Sequence, residues 1–333
     1  MAGPVFHGGD IGAARQRFGE PAEGWLDLST GINPVPYPVD GLTAADWTRL
    51  PPREAERALE RAAAAAFGLD DPDRLLVTPG TQCLIQALPR LVEADDVAIL
   101  DFTYQEHAAC WQAAGARVRG IAALTEAAIG AADVVVVVNP NNPDGRLVAP
   151  QDLVRTADRL ARQGRLLVVD EAFADVLDPE ASLMPVLPQA GAMVLRSFGK
   201  TWGLAGLRLG LAAGPRALID RARAFFGPWS VSGPALSIGT RAYADRAWLA
   251  TTIARLATDC ALLDAILADT GLQVIGGTPL FRLVATPDAA AVHARLGAAG
   301  ILIRPFPDRP DWLRFGVPAN AADRARLARA LRP

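Results

Sequence analysis

Residues 193–208 read MVLRSFGKTWGLAGLR and form the most informative stretch of the sequence. The apolar run 193–196 is typical of a strand, and Lys200 follows it in a Gly-rich turn that ends at Arg208. A lone lysine is most often a surface residue. Here serine, glycine and tryptophan flank Lys200 in a chain with very few lysines, so we interpret it as a functional amine.

Short apolar runs alternate with helical stretches on the N-terminal side of this segment. Several runs are apolar on both faces, as strands covered by helices on both sides are. The alternation predicts an α/β domain with a mostly parallel, seven-stranded sheet. The predicted strands are 75–78, 97–100, 117–121, 134–138, 166–169, 193–196 and 207–212.

Gly and Pro residues mark the expected domain boundaries. The segment 1–38 is rich in both and is expected to be an arm that joins the small domain without packing as an element of its own. Two Gly-Pro pairs near residue 230 indicate a hinge. We therefore expect a large domain over 39–232 and a small α+β domain over 233–333. In the small domain we predict strands 281–286, 301–306 and 312–317, with helices 235–270, 287–299 and 320–332.

Composition narrows the function classes. Hydrophobic residues make up 51% and charged residues 21%, with a net charge of −3 and a pI near 5.7. Nucleic acid and anionic membranes are therefore poor partners. No signal peptide or roughly 18-residue apolar span is apparent, so a cytoplasmic protein is expected. The cysteines and histidines are too scattered to predict a metal site (Cys83, Cys110, Cys260, His7, His107 and His293).

The strand 166–169 ends in the acidic pair Asp170-Glu171. Such a pair can cap the following helix, or it can belong to a nucleotide site. The nucleotide site fails because Val194 stands where its phosphate loop needs a glycine, and because Gly199-Lys200-Thr201 follows the acidic pair. The third interpretation places a carboxylate against the pyridine nitrogen of pyridoxal phosphate (PLP), which needs a lysine nearby and a phosphate cradle.

Three more motifs follow predicted strands. The turn 78–82, TPGTQ, opens a helix whose exposed N–H groups and Thr81 hydroxyl suit a phosphate, although many strand–helix turns look similar. The segment 139–145, NPNNPDG, is either a tight turn or a source of an Asn amide for a cofactor. Tyr104 is suited either to core packing or to stacking on a ring. Together these motifs meet at the carboxyl edge of the sheet, where ligands bind in open α/β folds.

On these motifs the sequence resembles fold-type I PLP enzymes of the aspartate aminotransferase superfamily. It is most similar to the branch of histidinol-phosphate aminotransferases and L-threonine-O-3-phosphate decarboxylases. The resemblance runs from 27–34, DLSTGINP, to 312–318, WLRFGVP. Three features favour the decarboxylases within this branch: the STGINP arm, DEAF at 170–173 and WLRFG at 312–316.

The resemblance implies a role for each matching residue. Lys200 would form the Schiff base with PLP and Asp170 would pair with the pyridine nitrogen. The remaining cofactor contacts would come from Gly80, Thr81, Gln82, Tyr104, Asn142, Phe173, Ser197 and Arg208. Arg314 would receive the substrate carboxylate, with Asn33 and Gly31 beside it. His7 and Arg304 would bind the substrate's own phosphate.

The function implied is PLP-dependent decarboxylation of L-threonine O-3-phosphate to (R)-1-amino-2-propanol O-2-phosphate for cobalamin biosynthesis, in a homodimer. The alternatives are a histidinol-phosphate-type aminotransferase and a PLP-binding sensor; such sensors usually carry a DNA-binding segment, for which 333 residues are expected to leave no room. Three residues depart from relatives. Phe173 replaces a Tyr, Gly199 replaces a Ser, and Leu50 stands where aminotransferases carry a Tyr that reaches the neighbouring subunit.

Overall fold

A computed structural model describes residues 8–332 of the chain. Their contacts define two compact units. The large unit comprises Tyr37–Asn142 and Leu147–Leu249. Among the described residues, the small unit comprises 8–36, Pro143–Arg146 and 250–332. The small unit therefore resumes at Ala250, later than the boundary expected at residue 233.

Strands and helices alternate through the large unit and continue into the small one. In chain order the strands are β1 Leu26–Asp27, β2 Leu75–Thr78, β3 Asp96–Leu100, β4 Arg117–Ile121, β5 Val134–Val138, β6 Leu166–Asp170, β7 Ala192–Ser197, β8 Gly210–Ala213, β9 Gln273–Thr278, β10 Phe281–Ala285, β11 Ile301–Leu302, β12 Arg304–Phe306 and β13 Arg309–Gly316. The α-helices are α1 Ile11–Phe18, α2 Ala44–Thr48, α3 Arg53–Phe67, α4 Thr81–Leu91, α5 Glu106–Ala113, α6 Glu126–Ile129, α7 Pro150–Ala161, α8 Phe198–Thr201, α9 Arg216–Phe226, α10 Gly233–Ala244, α11 Arg246–Asp269, α12 Ala289–Ala298 and α13 Ala321–Leu331.

A seven-stranded sheet forms the centre of the large unit, in the order β2-β8-β7-β6-β5-β3-β4. Its strands pair in parallel, except that β8 is antiparallel to both β2 and β7. All five valines of β5 are buried, because helices cover both faces of the sheet and an apolar core lies on each side. The predicted mostly parallel, seven-stranded sheet is confirmed.

The last strand of this sheet begins later than predicted. The expected strand 207–212 is observed as β8, which starts at Gly210. Ala205–Leu207 instead form a 3₁₀ turn, and Arg208 takes a left-handed conformation with φ 53°. A residue with this φ cannot continue an extended strand, so the apolar pattern around Leu207 was misleading.

Helix α10 explains the shifted domain boundary. The Gly233-Pro234 pair begins this helix, and the Ser232 hydroxyl accepts a hydrogen bond from the N–H of Ala235. The helix packs on the core of the large unit. A Cβ at Gly239 would lie 2.6 Å from a methyl group of Leu209, so α10 approaches closely. A Gly-Pro pair at a helix start therefore looked like a linker in the sequence.

The small unit is built on a four-stranded antiparallel sheet in the order β12-β13-β10-β9. Helices α11, α12 and α13 contribute leucines to its apolar core. The predicted strand 301–306 is split into β11 and β12. Strand β9 was not predicted, because Gly276 and Gly277 interrupt its apolar pattern.

The N-terminal segment is more ordered than the predicted arm. It contains α1, which is capped by the Asp10 carboxylate, and β1, which pairs in parallel with β11. Phe18 at the end of α1 packs against Gly297, where an added Cβ would lie 2.6 Å from the ring. This segment therefore packs as part of the small unit.

Candidate active site

Asp170 ends β6 and is buried. Its Oδ2 atom lies 2.9 Å from Nε2 of His107, which is fully buried on α5. Its Oδ1 atom accepts a hydrogen bond of 3.1 Å from the N–H of Ala172. Both oxygens are therefore held, and the carboxylate is fixed at the carboxyl edge of the sheet.

His107 was not predicted as a site residue, because the three histidines are scattered along the sequence. Its ring lies edge-on to Tyr104, with centroids 6.2 Å apart and planes at 84°. Its second nitrogen, Nδ1, has no hydrogen-bond partner within residues 8–332. The only sequence signal was its position in the helix that directly follows Tyr104. A single sequence does not reveal that this helix face meets the end of β6.

Lys200 lies on the one-turn helix α8, directly after β7. It is the only lysine in the 333-residue sequence. Its Nζ atom lies 5.8 Å from the ring centroid of Phe173, and that ring is buried. Phe173 is thus both a core residue and a neighbour of the lysine amine.

Close backbone packing explains the glycine before Lys200. A Cβ at Gly199 would lie 2.7 Å from the Cα of Ala205. The Ser found here in many relatives does not fit this turn without a backbone shift. The departure from the family pattern therefore follows from local packing.

A cradle of backbone groups surrounds the start of α4. Gly80 has φ 88°, which favours glycine, and Thr81 is the first helical residue. A Cβ at Gly80 would meet the Arg208 guanidinium at 2.8 Å, and one at Gly210 would meet the N–H nitrogen of Thr81 at 2.5 Å. The helix N-terminus and Arg208 therefore lie together, as an anion site requires. Ser197 ends β7 at the same edge of the sheet.

Gln82 and Tyr104 are joined by a hydrogen bond of 3.2 Å from the phenol hydroxyl to the amide oxygen. The Gln82 amide nitrogen donates to Glu106 at 2.6 Å. The structure thus places the Gln82 side chain between Tyr104 and Glu106, and its expected contact with a phosphate stays a prediction. Glu106 was not identified from the sequence.

Asn142 is buried after β5, in the segment NPNNPDG. Neighbouring asparagines hold the segment in place. Asn139 exchanges two side-chain hydrogen bonds with the backbone of Val148, at 2.8 and 3.2 Å, and the Asn141 amide donates to the Phe102 carbonyl at 2.9 Å. Asn139 and Asn141 thus stabilise the turn, and this is compatible with a cofactor-binding role for Asn142.

Glu171, the second acidic residue, belongs to a buried ion cluster. Its carboxylate lies 3.1 Å from Nε of Arg196 and accepts hydrogen bonds of 2.7 Å from the Ser182 hydroxyl and the Leu183 N–H. Arg196 also pairs with Asp175 at 2.5 Å. Burial raises the pKa of both carboxyl groups, and the guanidinium opposes that shift. The acidic pair thus divides its roles: Asp170 lies at the sheet edge and Glu171 anchors the chain behind it.

The small unit holds the predicted substrate residues. Arg314 of β13 is buried; its Nη2 donates to the Ser29 carbonyl at 2.9 Å, and its guanidinium lies 5.0 Å from the Phe281 ring centroid. Asn33 is buried, and its Oδ1 accepts a hydrogen bond of 2.5 Å from Arg255. The segment that carries Asn33 and Gly31 therefore runs beside β13. His7 lies outside the described residues.

Arg304 lies on β12, opposite Arg314 on β13. Its guanidinium is 5.3 Å from the Phe306 ring centroid. The strand pairing therefore brings two arginines of the predicted substrate set next to each other on one sheet.

Residues 26–331 match the family described as aminotransferase class I and II. The chain belongs to the class I and II aminotransferases. It is 42% identical over 326 residues to a threonine-phosphate decarboxylase of Pseudomonas aeruginosa, covering 98% of this chain and 96% of that protein. A threonine-phosphate decarboxylase of a Sinorhizobium species is 44% identical over 335 residues, covering 99% and 98%. The crystal structure of histidinol-phosphate aminotransferase from Sinorhizobium meliloti in complex with pyridoxal-5'-phosphate has a TM-score of 0.82 at 23% identity, covering 98% of this chain and 94% of that one.

The predicted cofactor residues all fall in the large unit of the chain, and the described residues among those predicted for the substrate all fall in the small unit. No three His, Cys, Asp or Glu side chains of residues 8–332 are grouped as a metal site would need. None of the helices in that range is both long and apolar enough to cross a membrane.

Proposed function

We propose that the protein is a PLP-dependent decarboxylase of L-threonine O-3-phosphate. The observation that carries the proposal is full-length similarity, at 42% and 44% identity, to two proteins that bear the name threonine-phosphate decarboxylase. The likeness to histidinol-phosphate aminotransferase at 23% identity supports the fold alone. Decarboxylation is therefore favoured over the aminotransferase alternative.

The large unit fits PLP on three independent features. It has a helix N-terminus beside an arginine for the phosphate, a fixed buried carboxylate at Asp170 for the pyridine nitrogen, and the chain's only lysine, Lys200. When bound, PLP supplies an electron sink for the electrons of a broken bond at the substrate Cα. Asp170 would keep the ring nitrogen protonated, and Lys200 would provide the amine that attaches the cofactor.

The remaining large-unit residues complete this proposal. Thr81, Ser197 and Arg208 would bind the cofactor phosphate, with Gly80 giving the backbone room. Asn142 would bond the phenolic oxygen, and Tyr104 would stack on the ring. The buried neighbours of Asp170 exclude water from that carboxylate. A carboxylate charge attracts a nearby proton more strongly in such a site than it does in water.

The substrate would be bound through its two anionic groups. Arg314 would pair with the carboxylate in a bidentate manner, with Asn33 and Gly31 alongside. Arg304 and His7 are proposed for the substrate phosphate. The product would be (R)-1-amino-2-propanol O-2-phosphate, and the proposed role of this reaction is in cobalamin biosynthesis, as the resemblance implies.

Incubation with L-threonine O-3-phosphate tests the proposal. We expect CO₂ release in step with aminopropanol phosphate formation, and no transfer of the amino group to 2-oxoglutarate. Lys200→Ala is the matched control, and it should release no CO₂. Glutamate formation from 2-oxoglutarate without CO₂ would show an aminotransferase instead.

A homodimer is part of the proposal, and an exposed apolar groove supports it. Trp47, Leu50 and Trp229 border one groove on the large unit and are 69%, 66% and 55% exposed. Large apolar side chains grouped in this way are typical of interfaces, and the proposed occupant is a second copy of the chain. We expect a dimer in sedimentation, which Trp229→Glu weakens. A monomer of full activity at all concentrations would contradict it.

A cytoplasmic location completes the proposal. Cys83, Cys110 and Cys260 are all free thiols, which suits a reducing compartment. Cell fractionation should recover the decarboxylase activity in the cytosolic fraction, and recovery in an oxidising compartment would contradict it.

A further inference from the structure

A directed chain of hydrogen bonds ends on the phenol of Tyr104. The Gln82 amide nitrogen donates to the Glu106 carboxylate at 2.6 Å, and the Tyr104 hydroxyl donates to the Gln82 amide oxygen at 3.2 Å. An ionised carboxylate only accepts hydrogen bonds, so it orients the amide with nitrogen toward Glu106 and oxygen toward Tyr104. Glu106 therefore determines which end of Gln82 the phenol meets.

The three residues come from different elements. Gln82 is the second residue of α4, Tyr104 precedes α5, and Glu106 is the first residue of α5. The Tyr104 ring packs partly against the apolar core of the large unit, and its edge-on contact with His107 fixes a second side. The hydrogen bond of the phenol hydroxyl at one end and the packing contacts at the other restrict the orientation of the Tyr104 ring.

We propose that Gln82 and Glu106 are positioning residues that hold the Tyr104 ring in place for the cofactor. The inference rests on the proposed function, because it deepens the role assigned there to Tyr104. It gives α5 two adjacent tasks. Glu106 orients Tyr104 through Gln82, while His107 holds Asp170 at 2.9 Å. The first two residues of α5 would thus position both Tyr104, proposed to stack on the ring, and Asp170, proposed to pair with the ring nitrogen.

A simpler role for Glu106 is a favourable charge at a helix N-terminus. Acidic residues in the first turn stabilise a helix through its dipole, and Glu54 in the first turn of α3 is of the same kind. Such a role changes the stability of the fold but does not couple Glu106 to Tyr104. Glu54→Gln is therefore the matched control.

A double-mutant cycle on the full chain separates the two roles. PLP affinity is measured by fluorescence for Tyr104→Phe, which keeps the ring and removes the hydroxyl, for Glu106→Ala, and for the double variant. Each single change should weaken PLP about three- to tenfold, and the double variant should be no weaker than the worse single one. Glu106→Gln, which can still accept from Gln82, should restore most of the affinity.

The outcomes distinguish this inference from the proposed function. Losses that multiply in the double variant, or an effect of Glu106→Ala on melting temperature alone, would overturn the positioning role. Glu54→Gln should leave PLP affinity unchanged. If the unaltered protein bound no PLP at all, the proposed function itself would fail, and the cycle with it.

Discussion

Asp170 shows how one residue acquires a function from its surroundings. A strand-end carboxylate is a common helix cap, and sequence alone allowed that interpretation. In the structure it is buried and bonded to His107 at 2.9 Å, while the adjacent Glu171 serves a separate ion cluster. A buried carboxylate is costly unless its partners hold it. His107 and the Ala172 N–H hold the carboxylate at the sheet edge, and the charged partner that we propose for it is the ring nitrogen of PLP.

Replacement of Asp170 by Asn tests that partner. The amide has the same shape but cannot hold the proton of a pyridine nitrogen. Asp170→Asn should bind PLP and lose turnover by about 10²-fold or more. Absorbance of the bound cofactor and kcat measure the two effects. Unchanged turnover would reduce Asp170 to a structural strand end.

Phe173 gives a second prediction at this scale. A Tyr at this position would donate a hydrogen bond to the phenolic oxygen of PLP and compete with the proton of the Schiff base on Lys200. Because Lys200 Nζ lies 5.8 Å from the Phe173 ring, we expect Phe173→Tyr to lower the pKa of that Schiff base. An absorbance titration of both proteins measures it. Superimposable curves would show that residue 173 does not act on the cofactor.

At the scale of elements, the sequence predicted those strands whose bounds are marked by a local pattern of apolar and turn residues. The strands β2, β4 and β5 were predicted with their observed bounds. Strands β2 and β5 are fully buried, and buried strands of this kind are mostly apolar runs ended by turn residues. Strand β4 is mostly exposed or half-buried, and only Ile121 at its end is buried. The local sequence pattern gave wrong predictions where contacts between distant segments determine the structure. Helix α10 joined the large unit through packing at Gly239, and β9 formed despite its glycines because β10 pairs with it.

The site followed the same division. The location of Lys200, Asp170 and the Gly80 turn at one edge of the sheet was predictable because each lies at or just after the end of a strand, and parallel strands end at one edge. His107 and Glu106 were not, since their roles depend on how α5 meets the sheet and α4. Helix-to-sheet contacts of this kind leave no spacing signal in a single sequence.

The junction of β8 and α4 provides a prediction for elements. Gly210 is buried, and a Cβ there would lie 2.5 Å from the Thr81 nitrogen. Gly210→Ala should push the start of α4 out of place, lowering PLP affinity by about tenfold or more and stability by about 1–3 kcal/mol. Gly206→Ala, where an added Cβ meets nothing within 4 Å, is the control. Equal effects of the two changes would contradict the cradle.

At the scale of the whole molecule, the proposed site residues are divided between the two units. The residues proposed for the cofactor belong to the large unit, and the described residues proposed for the substrate belong to the small unit. Its basic residues are almost all arginine, which pairs with carboxylate and phosphate in a fixed fork. The sequence contains a single lysine, Lys200.

That single lysine makes the central claim directly measurable. The protein is incubated with PLP, reduced with borohydride, digested and mapped by mass spectrometry, with Lys200→Ala treated in parallel. We expect one reduced adduct, on Lys200, in a protein that turns yellow before reduction, and neither colour nor adduct in Lys200→Ala. An adduct on the N-terminal amine alone, or a Lys200→Ala protein that stays yellow and active, would contradict the assignment of Lys200 as the cofactor lysine.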